Sequence, residues 1–204
     1  MSRPLPRRFF DRPAELVAEE LIGAILVSRL GGATVVSLIR ETEAYLGFDD
    51  PASHAYRGRR HAGNAAIYSP PGCWYVYRSY GIHWCANLVV GPAGHGAAVL
   101  LRAVDIVEGL EIAARRRGPV SAARLADGPG KLTQALGIDR SVDGLAMVGS
   151  DLEVFPRRRR VVPIRTPRIG ITKAADWPLR FLAPNESGAT GVAPLSSPGD
   201  RPDQ

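Results

Sequence analysis

Two apolar runs separated by a pair of glycines constrain the fold more than any other feature of this chain. Residues 24–30 and 33–43 are rich in Val, Ile and Leu, and a Gly-Gly pair lies between them. Two β-like runs joined in this way predict a β-hairpin. The second run ends in Glu41 and Glu43, and a two-residue period directs both side chains to the same face. This pattern therefore predicts a strand that belongs to a sheet and carries two neighbouring carboxylates on one face.

The remaining segments continue as strands and then change to helical spacing. Further strands are predicted at residues 73–80, 82–90, 97–104, 152–154 and 161–164. Helices are predicted at residues 13–22, 105–117 and 121–136, the last one interrupted by a Gly-Pro-Gly sequence. Strands that cluster early and helices that come later predict an α+β fold with a mainly antiparallel sheet.

Size and composition indicate one globular domain followed by a tail. The chain has 204 residues, of which 45% are hydrophobic and 23% charged, as is common in globular proteins. We expect residues 1–183 to form the domain. Residues 184–204, rich in Pro, Gly, Ser and Asp, are expected to be a disordered tail. The sequence contains no apolar run of membrane-spanning length and no recognisable signal peptide, so we expect no membrane partner and a cytoplasmic protein with two reduced cysteines.

The net charge favours a polyanionic partner without requiring one. The formal charge is +6, and arginine supplies most of the cations. A basic surface suits nucleic acid. A general preference for arginine in the source organism would give the same composition.

Polar side chains converge around the end of the second run. Tyr45 follows the two glutamates on the same face, and a short acidic loop then leads to His54. Arg102 lies within an apolar strand, where a buried arginine needs a carboxylate partner, and Glu43 is within reach if the strands are neighbours. A carboxylate and an arginine that hold one water between them suit hydrolysis. The alternatives are a structural ion pair and a solvated strand end.

A second group consists of tyrosines. Tyr75 and Tyr77 share one strand face, and Tyr80 directly precedes a glycine and is expected at a turn tip. An exposed aromatic ring beside basic residues can wedge between bases, and tyrosines behind it can stack on a displaced base. The alternative is a set of core tyrosines.

Two further patterns concern anions and metals. The sequence Gly-Pro-Gly-Lys-Leu at 128–132 opens a predicted helix, and helix-start amides with Lys131 would suit a DNA phosphate. The spacing differs from that of a nucleotide-binding P-loop. The four histidines and two cysteines lack zinc-site spacing, so we expect no metal.

Six stretches together resemble the 3-methyladenine DNA glycosylases of the alkyladenine (methylpurine) type. They are RETEAYLG at 40–47, DPASH at 50–54, YVYRSYGIHWCAN at 75–87, VLLRA at 99–103, GPGKL at 128–132 and RIGI at 168–171. The resemblance implies a compact domain with a curved, mainly antiparallel sheet flanked by helices, and no cofactor. It also implies a monofunctional, monomeric enzyme that removes alkylated or deaminated purines from double-stranded DNA.

The resemblance assigns roles to the residues of the reaction and of the duplex. Glu43 would be the general base that activates water. Arg102 would hold that water, helped by the backbone carbonyl of Ile169. Tyr80 would fill the gap that the displaced base leaves in the duplex.

The same resemblance assigns the base pocket. Tyr45 and Tyr77 would sandwich the displaced purine, with His54 on its edge and the backbone of Ala52 close by. Asn87 would line the pocket and exclude the amino group of guanine.

The sequence departs from the family pattern in two places. Family members often carry Thr-Pro-Arg where this chain has His-Ala-Gly at 61–63, so Arg59 is expected to contact the DNA backbone together with Lys131. The segment after Phe181 lacks the usual aromatic residues. Two other hypotheses stay open from the residues alone, namely a non-catalytic nucleic-acid-binding module and an enzyme acting on a small nucleoside.

Overall fold

The computed structural model describes residues 3–184, and all but the first residue of the predicted tail lies outside them. The described part is an α+β domain with an eight-stranded, open, mainly antiparallel sheet. The strands are β1 (Ile25–Ser28), β2 (Val35–Tyr45), β3 (Trp74–Ser79), β4 (His83–Val90), β5 (Ala97–Glu108), β6 (Leu152–Phe155), β7 (Ile164–Thr166) and β8 (Arg180–Leu182). The helices are α1 (Arg7–Phe10), α2 (Ala14–Leu21), α3 (Leu110–Arg117) and α4 (Pro129–Leu136). The predicted fold class is confirmed.

Strand β2 occupies the centre of the sheet. The strand order is β3-β4-β5-β2-β1-β6, and β8 pairs with both β2 and β7. The first half of β2 pairs with β1, and β8 takes over the same edge at Glu41–Glu43. On its other side β2 pairs with β5. The end of β2 is therefore enclosed between β5 and β8.

The predicted start of a helix at Asp105 is wrong. Residues 105–108 extend β5, which pairs with β2 as far as Glu108. Gly109 follows with a positive φ of 76°, which ends the strand, and α3 begins at Leu110. The apolar residues Ile106 and Val107 fit helical spacing, but the long pairing partner β2 decides in favour of a strand.

Other boundaries shift by a few residues. The predicted helix at 121–136 is two separate pieces, a 3₁₀ turn at Ala122–Arg124 and α4. The strand predicted at 161–164 is wrong in position, because the pairing with β8 begins only at Ile164. The predicted pairing of β1 with β2 and of β3 with β4 is confirmed.

The two faces of the sheet have different surroundings. One face packs against α2 and α4 in the main hydrophobic core, which includes Trp74, Leu88 and Leu101. On the other face a smaller cluster joins Tyr75 and Ala98 to residues of the long loop between β2 and β3. That loop covers only part of this face, and the remainder is the floor of a cavity.

The sequence also led to expectations about the two cysteines and about membrane-spanning segments. Both cysteines, Cys73 and Cys85, are buried and unpaired. Within the described residues, no helix is long and apolar enough to cross a membrane.

Candidate active site

Strand register brings the predicted site residues onto one face. Residues directly opposite each other in antiparallel strands point to the same side of the sheet. One such row crosses four neighbouring strands and consists of Tyr75 on β3, Asn87 on β4, Leu100 on β5 and Glu43 on β2. Because side chains alternate along a strand, Tyr77 and Tyr45, two residues further along their strands, belong to this face as well. Residues distant in sequence therefore meet because of sheet pairing alone.

A β-bulge sets the position of Arg102. Leu101 pairs with Thr42, and Ala103 pairs with Glu41, so Arg102 has no Cα partner on β2. Bulges of this kind redirect a side chain and are frequent next to active sites. Here the side chain reaches both glutamates of the neighbouring strand.

Glu43 is fully buried and makes hydrogen bonds through both carboxylate oxygens. Its side chain has 0% exposure. Oε1 accepts a hydrogen bond from the Ile169 amide at 2.8 Å and lies 3.3 Å from an Arg102 guanidinium nitrogen. Oε2 accepts a hydrogen bond from the Tyr45 hydroxyl at 2.9 Å. The groups that bond Glu43 all line the cavity, so the carboxylate lies immediately behind its wall.

The observed bond to Ile169 differs from the role implied by the resemblance. That role belongs to the backbone carbonyl of Ile169, which would hold a water. The structure shows the amide of the same residue donating to Glu43. This amide stabilises the negative charge of the carboxylate.

Glu41 completes an ionic network behind the cavity. Its Oε1 accepts hydrogen bonds from Arg102 Nε at 2.8 Å and from Arg180 Nε at 2.5 Å. Burial disfavours the Arg102 cation, but the carboxylates of Glu43 and Glu41 outweigh it and raise the pKa of Arg102. Arg102 is therefore a fixed positive charge held between two carboxylates.

Tyr45 contacts charged groups through its hydroxyl and its ring. Burial, followed by the negative charge of Glu43, raises the pKa of the Tyr45 phenol. The hydroxyl therefore stays protonated and donates to Glu43. The guanidinium carbon of Arg168 lies 4.6 Å from the ring centroid, within cation–π distance.

Three aromatic residues that line the cavity are in contact with one another. The rings of Tyr75 and Tyr77 are stacked with centroids 5.4 Å apart. The His54 ring meets Tyr77 edge-on at 4.5 Å, and its Nδ1 lies 2.7 Å from the Tyr75 hydroxyl. Burial of the imidazole against these rings, aided by the nearby His61 and Arg59, lowers the pKa of His54. His54 is therefore neutral at pH 7.

The cavity itself has a volume of about 500 Å³. This size is within the range of small-ligand sites. Asn87 lies in its wall, and its Nδ2 donates to the Tyr75 carbonyl at 3.0 Å, which leaves Oδ1 as an acceptor. Ala52 also lines the cavity, and its amide donates to Asp50 Oδ1 at 3.0 Å.

Tyr80 lies at the rim of the cavity on the β3–β4 turn, as the sequence predicts. The side chain is 90% exposed. The turn closes with the Ile82 amide donating to the Ser79 carbonyl, and Tyr80 and Gly81 both have positive φ, 49° and 67°. Asn-Gly is the usual sequence for such a turn, and a tyrosine with positive φ is strained. Exposure and strain in one aromatic residue are typical of a functional position.

An ion pair that sequence reasoning missed connects the segments around the site. Asp50 and Arg168 form two hydrogen bonds, at 2.5 and 2.9 Å, and both side chains are fully buried. Arg168 also donates to the Ala44 carbonyl at 3.0 Å. The pair thus joins the end of β2 and the loop before His54 to the segment that carries Ile169. The only sequence signals were an acidic residue after a strand and an arginine in the RIGI motif.

The two residues predicted to contact the DNA backbone are not part of the cavity wall. Lys131 Nζ is paired with Asp127 Oδ1 at 2.8 Å, one turn earlier at the start of α4. The Arg59 side chain is exposed, and its carbonyl accepts hydrogen bonds from Asn64 and Tyr68. In the segment 61–63, which differs from the family pattern, His61 Nδ1 accepts a hydrogen bond from the Gly63 amide and so caps the 3₁₀ helix Ala62–Tyr68.

In the part of the chain that the structure describes, no group of three or more His, Cys, Asp or Glu side chains is placed to hold a metal ion. The cavity is lined by an arginine and tyrosine rings, and the buried Glu43 carboxylate lies behind that wall. This is a class of site in which water could be activated next to an aromatic ligand.

Comparison with known proteins identifies the family. A model of the family described as methylpurine-DNA glycosylase (MPG) matches residues 8–187. The chain belongs to the methylpurine-DNA glycosylase family.

Curated relatives agree with this assignment. A protein of Rhodopseudomonas palustris (strain HaA2) is 49% identical over 182 residues, which cover 89% of this chain and 87% of that protein. A protein of Nitrosospira multiformis is 43% identical over 204 residues, which cover 100% of this chain and 99% of the relative. Both carry the name "Putative 3-methyladenine DNA glycosylase".

Proposed function

We propose that this protein is a DNA repair glycosylase that removes alkylated or deaminated purines from double-stranded DNA. Glu43 activates a water that hydrolyses the N-glycosidic bond, and an abasic site remains. The observation that carries the proposal is the fully buried Glu43 carboxylate, bonded by Arg102 and by two other groups of a tyrosine-lined cavity. Family membership supports the same reaction.

The chemistry follows from the charges of the site. Breaking a purine N-glycosidic bond develops positive charge on the sugar, and a nearby carboxylate stabilises that charge. The same carboxylate accepts a proton from the attacking water. Arg102, held between Glu41 and Glu43, keeps its charge throughout and orients the carboxylate. The reaction requires neither a metal nor a cofactor in this scheme.

Base recognition is assigned to the walls of the cavity. The displaced purine stacks between Tyr45 and Tyr77, and alkylated purines that carry a positive charge gain cation–π attraction from the tyrosine faces. His54 and the backbone of Ala52 lie at the edge of the base. Asn87 lines the pocket and excludes the amino group of guanine.

Duplex binding is assigned to the rim of the cavity. Tyr80 enters the stack in place of the displaced purine, and damaged bases unstack at a lower energetic cost than normal ones. Arg59 and Lys131 contact the DNA backbone. Lys131 first breaks its salt bridge with Asp127. One monomer acts on one lesion, in the cytoplasm.

The direct test is base release from defined lesions. The folded protein is incubated with duplexes that contain hypoxanthine or ethenoadenine, and with methylated DNA, and abasic sites are then cleaved by alkali. We expect cleavage at the lesion in at least one of these substrates and none in the undamaged duplex. If no substrate releases a base, the proposed activity is wrong. Competition by undamaged DNA that weakens steeply with salt would separate duplex binding from binding of a free nucleoside.

Replacing Tyr80 with alanine is expected to reduce lesion excision by about 5- to 150-fold. The reason is the loss of one base–aromatic stacking contact, which contributes about 1–3 kcal/mol. Tyr80→Phe retains the ring and is expected to recover most of the rate. The measurement is single-turnover excision, with thermal unfolding of each variant as a control for folding. Equal excision by the alanine variant and the unmodified protein would exclude a wedge at this turn.

A further inference from the structure

The hydroxyl of Tyr45 has a partner that base stacking does not explain. It donates to Oε2 of Glu43 at 2.9 Å, while the Ile169 amide and Arg102 contact Oε1. Stacking requires only the aromatic ring. A phenylalanine would therefore satisfy a pure stacking role at this position.

The surroundings make this bond strong and its geometry fixed. The Glu43 side chain is fully buried, so bulk solvent does not compete for its hydrogen bond with Tyr45. Hydrogen bonds to charged groups stabilise more than neutral ones, and a low local dielectric strengthens them further. Arg168, within cation–π distance of the Tyr45 ring, also restrains the ring plane.

We infer, on the basis of the proposed glycosylase activity, that Tyr45 is a positioning residue for Glu43. Its hydroxyl holds the carboxylate in the orientation in which it accepts a proton from the attacking water, while its ring stacks on the purine. The two functions belong to different atoms of one side chain. They can therefore be separated by removal of the hydroxyl alone.

Removal of the hydroxyl leaves the other contacts of Glu43 in place. The Ile169 amide still donates to Oε1, and an Arg102 guanidinium nitrogen still lies 3.3 Å from the same oxygen. The rate of the reaction should therefore fall while the affinity for DNA does not, because only the restraint on Oε2 is lost.

The test is Tyr45→Phe in single-turnover excision on a lesion-containing duplex, with the affinity for that duplex measured beside the rate. We expect the rate to fall about 10- to 100-fold, the effect of one hydrogen bond to a charged group. Affinity for the lesion duplex should stay at the level of the unmodified protein, because the ring remains.

Tyr77→Phe is the matched control. It removes a hydroxyl from the same cavity, but that hydroxyl lies against Cys85 and makes no hydrogen bond to Glu43. We expect the rate to fall less in this variant than in Tyr45→Phe. Thermal unfolding establishes that both variants are folded.

The outcomes separate this inference from the proposed function. An unmodified protein that releases no base contradicts the proposed activity itself. If the unmodified protein is active and Tyr45→Phe has the same rate, only the positioning role is wrong. A parallel loss of affinity and rate would also overturn it, since it would indicate disturbed stacking.

Discussion

Glu43→Gln is expected to abolish most excision while the protein still binds lesion-containing DNA. The amide retains the size of the carboxylate but cannot accept a proton from water or balance charge on the sugar. General-base catalysis alone contributes about 10²- to 10⁴-fold to a rate, so we expect a loss of at least that order. Single-turnover excision and duplex affinity, measured on one lesion substrate, give the two quantities to compare.

The local structure should tolerate this substitution. Oε1 of the glutamine can still accept from Ile169 and Arg102, and its amide nitrogen can donate to the oxygen of the Tyr45 hydroxyl. Arg102 also keeps its bond to Glu41 and is not left as an unpaired buried charge.

Glu41→Gln is the matched control for Glu43→Gln. It removes a carboxylate from the same strand and the same arginine, but the Tyr45 hydroxyl and the Ile169 amide donate to Glu43 and not to Glu41. We expect a smaller loss of rate than for Glu43→Gln. Equal losses in both variants would assign the effect to Arg102 positioning, and a parallel loss of binding and excision in Glu43→Gln would make Glu43 structural.

Asp50→Asn is expected to lower the free energy of unfolding by about 3–5 kcal/mol. Breaking a buried pair on one side leaves the Arg168 guanidinium without a counter-charge in a fully buried position. For a domain of this size the loss corresponds to a decrease in Tm of roughly 6–20 °C. Urea unfolding monitored by circular dichroism measures the change, and an unchanged m-value would show that the denatured state is unaffected.

Glu20→Gln provides the comparison for an exposed pair. Arg12 and Glu20 also form a salt bridge, but their side chains are 32% and 40% exposed, so its removal should cost at most about 1 kcal/mol. The double variant Asp50→Asn/Arg168→Met should recover part of the stability lost in Asp50→Asn, since the unpaired charge is gone. A loss below about 1 kcal/mol in Asp50→Asn would mean that water or another group compensates Arg168.

The same buried pair links stability to the site. Arg168 lies against the Tyr45 ring and directly precedes Ile169, whose amide bonds Glu43. Asp50→Asn is therefore expected to slow excision at temperatures where the protein is still folded.

Short-range periodicity made much of this arrangement predictable. Alternation placed Glu43 with Tyr45, and Tyr75 with Tyr77, on common strand faces. The cost of burying an unpaired arginine predicted that Arg102 reaches Glu43, and the two lie 3.3 Å apart. These inferences succeed because they depend on strand geometry and on neighbouring strands.

Contacts between distant segments were not predictable in the same way. Asp50 and Arg168 are 118 residues apart, and neither has a periodic pattern that points to the other. The Ile169 amide is a backbone group, which every residue except proline carries, so the sequence gives no signal for its role. The prediction of a helix after Val104 failed for another reason. The pairing of β5 with β2 overrides a locally helical pattern.

The division of the sheet into a core face and a cavity face has a practical consequence for changing the specificity of this protein. On β3 and β4 the odd-numbered residues Tyr75, Tyr77, Cys85 and Asn87 border the cavity, while Trp74 and Leu88 on the opposite face belong to the main core. A mutant library restricted to those alternate positions would vary the shape of the binding site and leave the residues of the main core unchanged. Directed evolution toward other damaged bases could therefore explore many sequences in which the main core is intact.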